Sequence, residues 1–153
     1  MSASARAPRF QGYQSSSTRA SHALAGSRAT DTTCEKLLRG ALWRSGLRYR
    51  KHYRNLPGRP DVVLVRERIA VFCDGDFWHG RGWRGRRERL RRGANSKYWV
   101  AKIKANMDRD RRQTKLLREL GWKVIRLWET DILRDPAAAA RRVARLVRHR
   151  REP

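Results

Sequence analysis

Two apolar runs rich in β-branched residues, "DVVLV" (Asp61 to Val65) and "IAVFC" (Ile69 to Cys73), are separated only by Arg66, Glu67 and Arg68. Such runs read as neighbouring antiparallel strands. A third apolar run, "WKVIRLW" (Trp122 to Trp128), follows a long helical stretch that Asn95 or Ser96 opens. That stretch runs to about Leu120, carries Trp99, Ile103 and Met107 at spacings of four on one stripe, and ends at Gly121. A helix of this length between strands serves as a crossover, so the sequence predicts a mixed sheet with helices packed on it.

The flanking segments complete the pattern. Thr32 stands three residues before Glu35, and Leu37, Leu38, Ala41 and Leu42 follow at helical spacing until Gly46, which makes a capped amphipathic helix. Arg48 to Arg54 alternates basic and aromatic residues like an exposed strand, and Asn55 to Pro60 is a turn-rich bridge. Arg81 to Gly93 is Arg- and Gly-rich with few apolar anchors and reads as a surface loop. Asp135-Pro136 opens a last helix with Val143, Leu146 and Val147 facing inward. The order α-β-β-β-α-β-α gives an α/β (α+β) fold with a mixed four-stranded sheet flanked by helices, similar to the restriction-endonuclease-like core. A chain of 153 residues buries one core, so residues 31–150 are expected to form a single domain. Residues 1–30, rich in Ser, Ala, Gly and Arg, read as a disordered basic arm, with an amphipathic targeting peptide as the alternative.

Charge narrows the partners. Lys and Arg number 38 against 14 Asp and Glu, a formal charge of +24, and such a field attracts polyanions. No apolar stretch approaches the roughly 18 residues of a membrane span. Nucleic acid is therefore the expected partner and a membrane is not. Cys34 and Cys73 lie in separate elements without C-x-x-C spacing, so neither a disulfide framework nor a cysteine zinc site is legible, and a reducing cytoplasm is the simplest location.

Chemistry concentrates around "FCDGDFWHG" (Phe72 to Gly80). Phosphodiester hydrolysis needs a hard cation, and Asp61 at one strand start faces Cys73-Asp74 at the opposite strand end. An Asp that opens a strand after "PGRP" is also an ordinary turn residue, and taken by itself Asp61 fits that reading better. Asp74 and Asp76 flank Gly75 as in many hairpin turns, although the Cys73 carbonyl could still coordinate. His79 could take a proton from, or orient, an attacking water, and a lone loop histidine could also do nothing. Glu35 is either a capping residue or an acid aimed at the site. Asn106 and Asp110, four apart on one helix face, are either solvated or functional. Phe77-Trp78 and Tyr98-Trp99 could wedge between base steps or pack in the core. Arg81, Arg84, Arg86, Arg87, Arg89, Arg91 and Arg92 could contact phosphates or simply be solvated.

Five segments, "TTCEKLLRGAL", "LPGRPDVVL", "VFCDGDFWHG", "YWVAKIKANMDRDRRQ" and "LGWKVIRLWE", occur in an order and spacing that resembles the very short patch repair (Vsr) endonucleases, bacterial enzymes that nick DNA beside T:G mismatches. The resemblance spans roughly Thr18 to Thr130. It implies that Asp61 and the Cys73 backbone carbonyl hold Mg²⁺, that His79 is the catalytic histidine, and that Glu35 is the first-helix acid touching the metal's water shell. It also implies that Asn106 and Asp110 support the site and that Phe77, Trp78 and Trp99 intercalate beside the mismatch. The product implied is a nick 5′ of the mismatched T, with mismatch-repair proteins and a cognate cytosine methyltransferase as associates at the bacterial nucleoid.

One departure matters. Where better-known members hold a structural zinc, this chain has Asp76, Arg81, Trp83 and Thr130, from which no zinc site can be built. Another anchor, Trp83 packing or the Arg-rich connection, is then expected to hold the loop. The main reading is a Mg²⁺-dependent T:G nickase. Its rivals are a restriction-like or structure-specific nuclease on the same scaffold and a non-catalytic DNA-binding protein.

Overall fold

Burial alternates along the hairpin. Val62 and Leu64 pack with Ile69 and Val71 on one face of the sheet, while Val63, Ala70 and Phe72 pack on the other. A strand pair apolar on both faces requires helices above and below, and the fold provides them. The computed structural model of the protein describes residues 30–153, so the basic arm expected over residues 1–30 lies, but for Thr30, outside the described residues.

The elements in chain order are α1 (Thr33–Arg44), β1 (Arg50–Lys51), β2 (Val62–Leu64), β3 (Ile69–Asp74), α2 (Trp83–Arg91), α3 (Ser96–Glu119), β4 (Lys123–Trp128), α4 (Glu129–Arg134) and α5 (Pro136–Arg151). The sheet order is β1-β2-β3-β4. The first two pairings are antiparallel and β3–β4 is parallel, with Ile69 opposite Lys123 and Asp74 opposite Trp128. The fold is thus the mixed four-stranded sheet with helical crossover that the sequence predicts. On one side Leu38 and Leu42 of α1, Ile132 of α4 and Val143 and Val147 of α5 cover the sheet. On the other, Leu117 of α3 and Trp122 form a smaller core with Val63, Ala70 and Phe72.

The caps follow their residue chemistry in two places and not in a third. Thr32 accepts the Glu35 N–H at 3.4 Å, and Asp135 accepts the Ala138 N–H at 2.9 Å with Pro136 in the first turn. At α3 the expected side-chain cap is absent, since Asn95 takes φ 57° and makes no capping bond. The Arg81 to Gly93 stretch is not a loop: Trp83–Arg91 forms α2. Arginine is a good helix former, and Trp83 and Leu90, seven apart on one side, are half-buried where α2 packs beside α3. The short α4 was also absent from the expected order, and β1 keeps only two of the residues in the exposed strand expected over Arg48 to Arg54.

The topology brings the start of β2, the carboxyl ends of β3 and β4 and the first turn of α1 to one end of the sheet. Asp61 extends the hairpin by donating its N–H to the Val71 carbonyl at 3.0 Å, which fixes its side chain beside the end of β3.

Candidate active site

At that end lies a cleft of ≈ 1050 Å³, lined by Glu35, Asp61, Cys73, Asp74, His79 and Asp110 among others. Asp61 Oδ2 accepts the Cys73 N–H at 2.7 Å. Burial pushes the Asp61 carboxyl up to about 7; the Cys73 hydrogen bond and His79 oppose that rise, and the nearby charges of Glu35 and Asp74 add to it. Cys73 has Cys34 as a thiol neighbour, and this contact and burial together push the Cys73 thiol up. The thiol therefore stays protonated, and the backbone carbonyl is the donor that residue 73 can offer a cation. Glu35 is engaged locally. Its Oε2 accepts the Asp31 N–H at 2.9 Å and lies 3.5 Å from Arg39, and its Oε1 accepts from the Thr32 hydroxyl at 3.1 Å. Its capping bonds are made, and it borders the cleft as well.

His79 sits in a charged cluster. Its Nδ1 lies 2.5 Å from Asp110 Oδ2 and 3.8 Å from Asp74 Oδ1. Arg126 of β4 donates to both Asp74 oxygens at 3.0 Å, donates to the Thr114 hydroxyl at 3.0 Å, and stands 3.6 Å from Asp110. Burial disfavours the imidazolium, but the Asp110 hydrogen bond and the charges of Asp74 and Asp110 outweigh it, so the His79 pKa is raised despite Arg126. Burial also raises Asp74, against the pull of His79 and Arg126. Asn106, one turn before Asp110, donates to the Trp78 carbonyl at 3.0 Å. Both are buried, at 6% and 9% exposure, so the solvated reading of this helix face fails. One face of α3 thus grips two consecutive residues, Trp78 by its backbone and His79 by its ring.

Gly80 makes this grip possible. It takes φ +75°, and a Cβ there would meet Met107 Sδ at 2.4 Å. Gly80→Ala is expected to lower stability by about 1–3 kcal/mol. Gly75→Ala, whose Cβ would meet Glu129 and Trp78 only at 3.5 Å, should change it by less than about 0.5 kcal/mol. Urea unfolding of the two variants checks the contrast.

The aromatic residues converge. The Phe77 ring lies 5.1 Å from Trp78 and 5.4 Å from Trp99, with Trp78 and Trp99 5.9 Å apart. All three are half-buried. Arg86 lies over Phe77 at 5.4 Å and donates to the Asp76 carbonyl at 2.8 Å. Arg81 is paired with Asp76 and Asp131, which uses its guanidinium within the protein. Arg84 and Arg87 are exposed on α2.

Two places could take a cation. Among the described residues the cluster with metal-ligand proximity is Asp74, His79 and Asp110, whose ligand atoms lie within 4.8 Å of one another. Arg126 already supplies positive charge there and would repel a dication. Among the described residues Asp61 forms no ion pair, its carboxylate accepts one hydrogen bond, and it sits with other carboxylates in the cleft. A hard divalent ion fits that place, with Asp61 and the Cys73 carbonyl as oxygen donors. A zinc ion does not fit the positions Asp76, Arg81, Trp83 and Thr130, because a guanidinium and an indole are not ligands.

Sequence reasoning missed Arg126 and left Asp74 as a turn residue. A charge inside the otherwise apolar "KVIRLW" was the signal for Arg126, since a buried strand tolerates one only with a partner.

The sequence matches the family model "DNA mismatch endonuclease Vsr" over residues 14–85. It is 38% identical over 117 residues to the type II nicking enzyme V.NmeDIP of Neisseria meningitidis serogroup C, covering 76% of this chain and 78% of that protein. It is 41% identical over 112 residues to V.HpaIIP of Haemophilus parainfluenzae, another type II nicking enzyme, covering 73% and 78%. With the DNA mismatch endonuclease Vsr of Escherichia coli it shares 39% identity over 99 residues, covering 65% of this chain and 62% of that one. Likeness this extensive settles the family: the chain belongs to the Vsr DNA mismatch endonucleases and is a DNA endonuclease.

Proposed function

We propose that the protein nicks one strand of duplex DNA 5′ of the thymine in a T:G mismatch, with Mg²⁺ as cofactor. What supports this most is that Trp78 and His79 are consecutive and both held by α3, through Asn106 and Asp110. A wedge that opens a base step and a base that activates water are thereby fixed one peptide apart. A T:G pair is easier to unstack than a matched pair, so Phe77, Trp78 and Trp99 would enter there at lower cost. Arg84 and Arg87 would meet phosphates. The nicking relatives support single-strand cleavage.

Asp61 and the Cys73 carbonyl would hold Mg²⁺, with Glu35 bordering the site. When bound, the ion offsets charge on the scissile phosphate and acidifies water. Asp110 takes the Nδ1–H of neutral His79 and so leaves Nε2 as the atom that accepts the proton of the attacking water. Arg126 neutralises Asp74 beside it and keeps the cluster from becoming an all-acidic pocket. Thymine opposite guanine arises when 5-methylcytosine deaminates, which makes a cytosine methyltransferase and mismatch-repair proteins the associates of this activity, at the bacterial nucleoid. Among the described residues no helix is long and apolar enough to cross a membrane.

The test is a panel of labelled duplexes containing each mismatch, incubated with Mg²⁺. Nicks confined to T:G are expected. Equal cleavage of matched DNA would favour a restriction-like task, and binding without cleavage a non-catalytic one. A base must be neutral, so the nicking rate should rise through a pKa above the ordinary 6.5 of histidine. Asp110→Asn removes one negative charge and leaves a weaker, neutral amide oxygen to accept the Nδ1–H, so the rising limb should move to lower pH while the maximal rate falls about 100-fold. Single-turnover rates between pH 5 and 9 read both effects.

A further inference from the structure

The turn that carries Trp78 and His79 is gripped on one side by α3, and a second set of contacts holds its other side. Asp76 Oδ2 accepts from the Thr130 hydroxyl at 2.7 Å and its Oδ1 accepts the Thr130 N–H at 3.2 Å. It thus caps the first turn of α4, where the helix's own N-cap residue, Trp128, makes no side-chain bond. Arg81 bridges Asp76 at 3.3 Å and Asp131 at 3.1 Å, and lies over the Trp128 ring at 5.6 Å. Asp76 and Arg81 belong to the turn after β3, while Thr130 and Asp131 belong to the start of α4. These bonds therefore join two segments some fifty residues apart in sequence. Packing alone cannot hold the turn, because Phe77, Trp78 and His79 are only half-buried. Of the four positions that correspond to zinc ligands in the resembling enzymes, Asp76 bonds directly to both Arg81 and Thr130 here, and with Trp83 as the fourth they make no usable ligand set.

We infer that Asp76, Arg81, Thr130 and Asp131 form a metal-free clasp that positions His79, with the Arg81 guanidinium as the fixed cation between two carboxylates. The clasp acts through the turn and touches no reacting atom, so its members are positioning residues. The consequence for catalysis rests on His79 being the water-activating base; the consequence for structure does not.

The test uses the full chain purified without added zinc. Elemental analysis should find no stoichiometric zinc, and 1,10-phenanthroline with excess Mg²⁺ should leave the melting temperature unchanged. Stoichiometric zinc, or a melting temperature that falls with the chelator, would overturn the inference. Asp76→Asn and Arg81→Met should each reduce kcat for nicking about 10- to 100-fold, as displacement of a catalytic group by about 1 Å does. KM should stay within about threefold, and the double variant should be no worse than the more affected single one. Arg81→Lys, which keeps the charge, should recover much of the loss. The NMR signal of the His79 Nδ1–H, shielded from exchange by Asp110 in the wild type, should broaden or shift in Arg81→Met. Thr130→Val, which removes only the hydroxyl bond, repeats the measurement in a milder background. An unchanged His79 signal in these variants sinks the clasp whether or not any DNA is cut, whereas a shifted signal in a protein without nicking activity would leave the clasp and remove the proposed reaction.

Discussion

Asp61→Asn is expected to abolish nicking while making the cation-free protein more stable at pH 8. Burial lifts the native Asp61 carboxyl from 3.8 to about 7, so folding favours its protonated form. Below pH 3.8 both folded and unfolded chains hold that proton, and the variant should differ little from the wild type. As pH rises from there to about 7 the unfolded chain releases its proton first, and wild-type stability falls relative to the variant; above 7 the difference is complete. Its ceiling is about 4 kcal/mol by linkage, and about 1–3 kcal/mol is expected once water entering the cleft is counted. Asparagine keeps an oxygen that can accept the Cys73 N–H, so the variant loses little hydrogen bonding. Mg²⁺ should close most of this gap. At a hundredfold excess over its dissociation constant it adds about 2.7 kcal/mol to the wild type and nothing comparable to the variant. Urea unfolding at pH 4 and 8, with and without Mg²⁺, reads the whole pattern.

His79→Ala should lower the single-turnover nicking rate on a T:G duplex by about 10²- to 10⁴-fold, the range for loss of a general base. DNA affinity should stay within about threefold, because Phe77, Trp78, Trp99 and the α2 arginines, the proposed DNA contacts, are untouched. The variant leaves Asp74 and Asp110 facing each other with Arg126 as their remaining cationic partner, so a moderate loss of thermal stability is expected as well. Gel-shift affinity and quenched-flow cleavage on one preparation separate binding from chemistry.

The hairpin, the crossover and the caps at Thr32 and Asp135 were legible because each is decided by neighbours in sequence: β-branched runs a few residues apart, or a hydroxyl or carboxylate three residues before an N–H. Trp83–Arg91 was not, since its helix depends on Trp83 and Leu90 finding α3, which no local pattern records. Glu35 fitted a cap and a site acid equally well in sequence, and its bonds are those of the cap while its place is beside the cleft. His79, Asp110 and Asn106 could be named from the resemblance, but their division of labour could not. Only the fold shows that Asn106 holds a backbone carbonyl and Asp110 a ring nitrogen. Arg126 was hidden in an apolar strand. The Asp76–Arg81 half of the clasp lies within five residues, whereas Thr130 and Asp131 arrive only when β4 runs parallel to β3.

The most direct measurement is the anomalous scattering of Mn²⁺, as a substitute for Mg²⁺, in crystals of the protein. A single peak at bonding distance from an Asp61 carboxylate oxygen and the Cys73 carbonyl oxygen is the expected result. A peak enclosed by Asp74, His79 and Asp110, or no ordered ion in the cleft at millimolar Mn²⁺, would contradict the account.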